Sequence, residues 1–320
     1  MVNLHEQVRA NKFRSVLIMG FFFLFVLFIG ALVGVVWSIT SAGEPFNFAF
    51  ILPGILIAIV AAGFYLLIVM SQGASMVLKA TGAKPASRTH YPFLYHTTEA
   101  LAIAAGMGGK VPKCYVIEDP SLNAYATGFK PENSYIVVTT GLLKRLNREE
   151  IEGVLAHEMS HIKNQDIKVM LYAAALVGAT VLLADILFRM FLFGGMRGGG
   201  GNSNNKNQGA LILIVIGVWI FLVILSPIIG KMIQMAISRR REYLADSSGA
   251  VLTRYPEGLA SALEKISSDT YELKTANKAT AHLFISNPFK RRGGPSFMQR
   301  LFSTHPPIVD RIRRLRRKGS

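Results

Sequence analysis

The sequence is poor in cysteine and in charge. A single cysteine, Cys114, excludes an internal disulfide framework and a cysteine-rich metal site. Charged residues make up 17% of the chain, against about 25% in ordinary soluble domains. Acidic residues are the scarcer sign, 19 Asp and Glu against 35 Lys and Arg. With 51% hydrophobic residues and a mean hydropathy of +0.37, the composition excludes a disordered chain and argues against a freely soluble one. A phosphate loop is missing as well. Gly106-Met-Gly-Gly-Lys110 is followed by Val111 where a Walker motif needs Ser or Thr, and the glycine run in 197–208 (RGGGGNSNNKNQ) reads as an exposed linker. No ATP partner is expected. The net charge of +16 suits nucleic acid by sign alone, but no binding motif accompanies it. In an apolar chain such an excess marks the cytoplasmic face of a membrane protein.

What the chain has in abundance is long apolar sequence. A bilayer core of about 30 Å takes about 20 helical residues to cross. Four stretches qualify: Val16–Ile39 and Phe48–Met70, both uncharged; Val169–Phe193, which carries Asp185 and Arg189; and Ala210–Gly230, interrupted by Pro227. Four transmembrane helices are therefore expected. Asp185 and Arg189, four apart, read as an intrahelical pair near the outer interface. The loop Thr40–Asn47 has no Lys or Arg, and Gly194–Gly209 has only Arg197 and Lys206. Every other basic residue except Arg189 falls on the opposite side, so both termini and the region after the second segment are expected in the cytoplasm.

Four parts follow. Residues 1–70 are the amino terminus with two membrane helices. Residues 71–168 are the first half of a cytoplasmic domain, 169–230 a membrane hairpin inserted into it, and 231–320 its second half. The first half reads as mixed α and β: a helix over Tyr95–Gly106, strands at Lys113–Ile117, Asn123–Thr127 and Tyr135–Thr140, and a turn at Gly128–Asn133. Asn147 and Glu150 form a capping box for a helix from Arg148 to about Lys163. The second half reads as helices over Lys231 to about Ser247 and Pro256–Asp269, then a basic tail.

The capped helix contains His157-Glu158-Met159-Ser160-His161. Histidines at i and i+4 share one helical face and can take two corners of a tetrahedral zinc. Glu158 can reach the water that the metal activates and serve as general base. A third ligand is still needed, and no histidine at 164 or 167 supplies it. Downstream, Glu242 and Asp246 lie four apart on one predicted helix. Glu242 is the candidate ligand and Asp246 the candidate acceptor for the far ring nitrogen of a ligand histidine, with the roles exchangeable. His5, His90, His96 and His282 have no metal spacing.

Four ordered motifs carry a resemblance: Asn123-Ala-Tyr-Ala-Thr-Gly128; Ala156-His-Glu-Met-Ser-His161 with Asn164 and Asp166; Ser238-Arg-Arg-Arg-Glu-Tyr-Leu-Ala-Asp246; and Ser303-Thr-His-Pro-Pro307 with Arg311. With the membrane segments they cover nearly the whole chain, which resembles the HtpX family of membrane-bound zinc metalloproteases, relatives of the CAAX prenyl protease. The resemblance implies an α-helical membrane protein with an α+β gluzincin-like protease domain. It implies one zinc per chain held by His157, His161 and Glu242, with Glu158 as base, and cleavage of misfolded or membrane proteins at the cytoplasmic face of a bacterial inner membrane, in quality control. It places His305 and Arg311 around the bound substrate, where a cationic donor stabilises the oxyanion of peptide hydrolysis. The strand holding Asn123, Ala124, Tyr125 and Ala126 would then be an unpaired edge beside the zinc, able to align an extended substrate through its backbone. Asn164 and Asp166 would end the helix and support the site from behind. The competing readings are a prenyl-protein processing peptidase and a catalytically silent membrane scaffold. The intact Glu158 argues against the scaffold.

Overall fold

The structure is a computed structural model that describes residues 4–40, 47–172, 174–175, 179, 217, 239–276, 280–288 and 306–319. The chain divides into two compact units. One comprises Met1–Ser15, Ser71–Ala174 and Ile233–Ser320, the other Val16–Met70 and Ala175–Met232.

Helix α1 (Leu4–Thr40) from Val16 onward and helix α2 (Ile51–Ala80) as far as Met70 supply most of the described part of the second unit. Asn47 opens the short turn before α2, its Oδ1 accepting the Ala49 N–H at 2.8 Å. The two helices approach at glycines: a Cβ on Gly54 would lie 2.6 Å from the Gly34 nitrogen, so only glycine lets the backbones come this close. Phe48–Ala80 is the one described segment long and apolar enough to cross a bilayer, with Val16–Leu32 a shorter apolar stretch. Four such helices were expected. Val169–Phe193, with Asp185 and Arg189, and Ala210–Gly230 lie almost wholly outside the described residues. The helix itself runs on past Met70, where the second apolar stretch ends: α2 continues to Ala80 and buries Val77 and Leu78 in the core of the first unit.

That unit is built on a four-stranded sheet of order β1-β2-β4-β3. β1 (Lys84–Pro85) runs antiparallel to β2 (Lys113–Ile117); β2 is parallel to β4 (Ser134–Thr139); β3 (Ala124–Gly128) is antiparallel to β4 and forms the edge. Side chains alternate between two apolar layers, as the twofold period of a strand requires. Cys114, Val116, Ala124, Ala126, Ile136 and Val138 pack into one core, while Tyr125 and Val137 join a second with Val77, Leu78, Met170, Leu171 and Phe284. Val169 is fully buried too, so the apolar run that begins there starts inside this unit.

Six helices complete the part that positions the site. α3 spans Pro92–Ala104, three residues earlier than expected, because Pro92 suits a first helical turn. α4 (Thr140–Arg145) follows β4 directly. α5 (Arg148–Lys163) starts at the expected capping box, with both reciprocal bonds between Asn147 and Glu150 at 2.8 Å. α6 (Arg239–Thr253) and α7 (Pro256–Ser268) pack on α5, and α7 comes closest at Gly153, where a Cβ would meet the Leu259 nitrogen at 2.6 Å. The basic tail is not a loose run of charge but a helix, α8 (Ile308–Gly319), with Arg311 and Leu315 buried and Arg313, Arg314, Arg316 and Arg317 exposed.

Candidate active site

Helix α5 turns His157, Glu158 and His161 inward, and all three are buried. α6 lies across them and delivers Glu242 and Asp246. The His157 and His161 Nε2 atoms are 3.2 Å apart, and the Glu242 carboxylate oxygens lie 3.8 Å and 3.5 Å from them. Zinc bonds of about 2.0–2.1 Å set the edge of a ligand tetrahedron near 3.4 Å, the spacing these three groups have. They are the one set of metal-ligand type grouped this closely among the described residues.

The ring orientations follow from the carboxylates behind them. A carboxylate only accepts, so each Nδ1 carries the proton and each Nε2 faces the other with its lone pair. His157 Nδ1–H donates to Asp246 Oδ1 at 3.0 Å, and His161 Nδ1–H to Asp166 Oδ2 at 2.9 Å. Asp166 reaches back because Gln165, at φ 58°, reverses the chain after α5 ends. Each aspartate is backed by an arginine. Arg311 Nε and Nη2 donate to Asp246 at 2.9 and 2.7 Å, and Arg241 Nη1 lies 3.5 Å from Asp166. Arg311 has no solvent exposure at all.

This environment separates the two histidines. Burial and the neighbouring Arg311 charge push His157 down to about 4, against the pull of Asp246. Burial also lowers His161, but Asp166, Glu242 and Glu158 outweigh it and push the ring up to about 9. The carboxylates around His161 thus favour a positive charge at its Nε2, either a proton or, with the ring neutral and its lone pair free, a bound cation in the proton's place. Glu158, 2% exposed, is pushed up to about 7 by burial, although its carboxylate accepts the Ala126 N–H. Asp246 is held below the ordinary carboxylate range; burial alone would raise it, and Arg311 and His157 overcome that.

The structure thus brings together His157, Glu158, His161, Glu242, Asp246 and Arg311. His305 lies outside the described residues. The edge strand needs a correction. Thr139 N–H donates to Asn123 O, so by alternation Asn123, Tyr125 and Thr127 turn their backbone groups to β4 while Ala124 and Ala126 turn outward. Tyr125 is fully buried, its hydroxyl 2.6 Å from Thr81 Oγ1. The outward edge is not unpaired: Ala124 O accepts the Ile285 N–H at 2.9 Å. Neither this contact nor the role of Arg241 carries a sequence signal, since both depend on how distant segments meet.

A helix bearing two histidines and a buried glutamate, crossed by a second helix with a third carboxylate, defines a metallopeptidase-type centre. The profile of Peptidase family M48 matches residues 92–318. The chain is 43% identical to a "Protease HtpX homolog" of Listeria monocytogenes serotype 4a, over 98% of this chain and 99% of that protein. It is 42% identical to a "Protease HtpX homolog" of Dictyoglomus thermophilum, covering 98% and 95%. Among solved structures, the crystal structure of S. mikatae Ste24p superposes with a TM-score of 0.48 at 17% identity, covering 98% of this chain and 66% of that one. The chain belongs to peptidase family M48, among proteases of the HtpX kind, and is a metalloendopeptidase.

Proposed function

We propose that the protein is a multi-pass inner-membrane endopeptidase that uses one zinc ion to cleave misfolded or membrane proteins at the cytoplasmic face. The observation that carries the catalytic part is the meeting of His157, His161 and Glu242 at zinc-ligand spacing beside the buried Glu158. His157, His161 and Glu242 would hold the metal, and their two nitrogens and one oxygen suit zinc. When bound, zinc supplies Lewis acidity to the scissile carbonyl. Glu158, with a proton affinity near neutrality, takes the proton of the attacking water and hands it to the leaving amine.

Arg311 braces the site directly as well as through Asp246. Nε and Nη2 donate to Asp246, Nη1 reaches Ile285 O at 3.4 Å, and the guanidinium lies against two of the ligand groups, 3.4 Å from His157 Nε2 and 3.7 Å from Glu242 Oε2. His305 is the oxyanion donor in this reading. The catalytic domain is 71–168 joined to 231–320, interrupted by the membrane hairpin 169–230. The site supports that arrangement, because its histidines precede the hairpin and Glu242 follows it. Four crossings are supported by the apolar α2 and by the near absence of basic residues from the two outer loops.

The test is cleavage of unfolded β-casein by the purified chain in detergent, with and without a chelator, alongside its zinc content. Cleavage that the chelator stops and zinc restores is expected. Full activity in a zinc-free chain would overturn the reading.

A further inference from the structure

We propose that Phe284–Ser286 is a resident segment, bent rather than a regular strand, that holds the outer edge of β3 and must leave before an extended substrate can pair there. The inference rests on the endopeptidase reading and concerns the regulation of the same site. An extended peptide adding to β3 needs the outward groups of Ala124 and Ala126. Ala124 O already accepts the Ile285 N–H at 2.9 Å. The Ala124 N–H donates to Asn123 Oδ1 at 3.2 Å.

The contact extends beyond one bond. Asn123 grips both backbone groups of Ser286: its Nδ2 donates to Ser286 O at 3.2 Å, and the Ser286 N–H donates to Asn123 Oδ1 at 3.4 Å. A side-chain amide that takes the N–H and C=O of one residue reads no side chain. It would hold any extended peptide equally well. Arg311 Nη1 reaches Ile285 O at 3.4 Å, so the segment lies between β3 and the arginine that braces the metal site. The Phe284 ring meets Tyr125 edge-on at 4.9 Å. The edge therefore carries a short bent segment of the chain itself, held by one backbone bond to Ala124 and by the Asn123 side chain.

Two segments cannot share these groups. A tethered competitor acts at an effective concentration of about a millimolar, so a substrate sees only the fraction of molecules whose edge is clear. Releasing the segment should thus lower KM rather than raise kcat.

The test uses the full chain in detergent. In Glu158→Gln, which binds without cleaving, saturating β-casein should speed hydrogen exchange at the Ile285 and Ser286 amides. Unchanged or slower exchange there, with β-casein demonstrably bound, would overturn the proposal. In the active chain, Ile285→Pro removes the N–H given to Ala124. It should raise kcat/KM for β-casein about threefold or more through a lower KM. A variant with wild-type zinc content and circular dichroism but no such gain would also overturn it. If that variant does not fold, the exchange measurement decides alone. A zinc-loaded wild type that cleaves nothing sinks the peptidase reading and the resident segment with it. A wild type that cleaves while Ile285 stays protected sinks the resident segment only.

Discussion

His157 and His161 owe their orientation to Asp246 and Asp166, which receive their Nδ1 protons and leave both Nε2 lone pairs facing one point. Outer partners of this kind are worth about 10- to 100-fold in metal affinity or activity. Arg311→Lys keeps the charge but loses the two-bond grip on Asp246, so zinc affinity should fall within that range while the fold persists. Wild-type affinity in a zinc titration would show that the bidentate contact is incidental. Glu158→Gln is the contrasting substitution. It removes the base and keeps the ligands, so zinc content should hold while β-casein cleavage falls at least about 100-fold. Turnover near wild type would reject Glu158 as the base.

Among the elements, α5 carries most of the site, and its start is set by a local device. Glu150 closes the capping box and also receives Ser261 Oγ–H at 2.6 Å and Lys265 Nζ at 2.8 Å, so one buried carboxylate ties α5 to α7. Burial would raise its pKa, but Lys265, Ser261 and the Asn147 N–H outweigh burial and hold it below the ordinary 4.5. A depressed folded pKa means stability that is present above the unfolded value and lost as pH falls through the folded one. Glu150→Gln should therefore cost about 1–3 kcal/mol at pH 7. Its deficit against the wild type should shrink as the pH drops below 4.5. A difference that stays constant from pH 7 to pH 3 would show that the charge of Glu150 is irrelevant. α8 behaves differently. Its register buries one arginine of a run, while Arg316 reaches Glu257 and Glu264 on α7, both at 2.9 Å from Nη2. Alanine at Arg316, which makes exposed ion pairs, should leave the denaturation midpoint nearly unchanged. A clear drop in that midpoint would contradict this.

At the scale of the molecule, the orientation in the membrane decides which compartment's proteins reach the metal site. A cysteine in Gly198–Asn205 should label from outside intact cells, and one at Lys130 should not. The motive is that Arg197 and Lys206 are the only basic residues between the third and fourth apolar segments. The reverse pattern would put the metal site on the outer face. Protection of both positions would mean that the hairpin enters the membrane without crossing.

Some of this was written locally in the chain. The boundaries of α5 were legible because Asn147, Glu150 and the histidine spacing lie within one helix, where periodicity and capping act over a few residues. The strands β2 and β4 were legible from short β-branched runs, and the apolar α2 from its length. Glu242 and Asp246 stood out because four-residue spacing on a helix places them on one face. Other features depend on contacts between distant residues. The parallel pairing of β2 with β4, the helical α8, and the choice of Arg311 over its neighbouring arginines come from which surfaces meet when α5, α6 and α8 pack. The cover on β3 is of the same kind: Asn123 and Ser286 are 163 residues apart, and no local propensity records a hydrogen bond made across that separation.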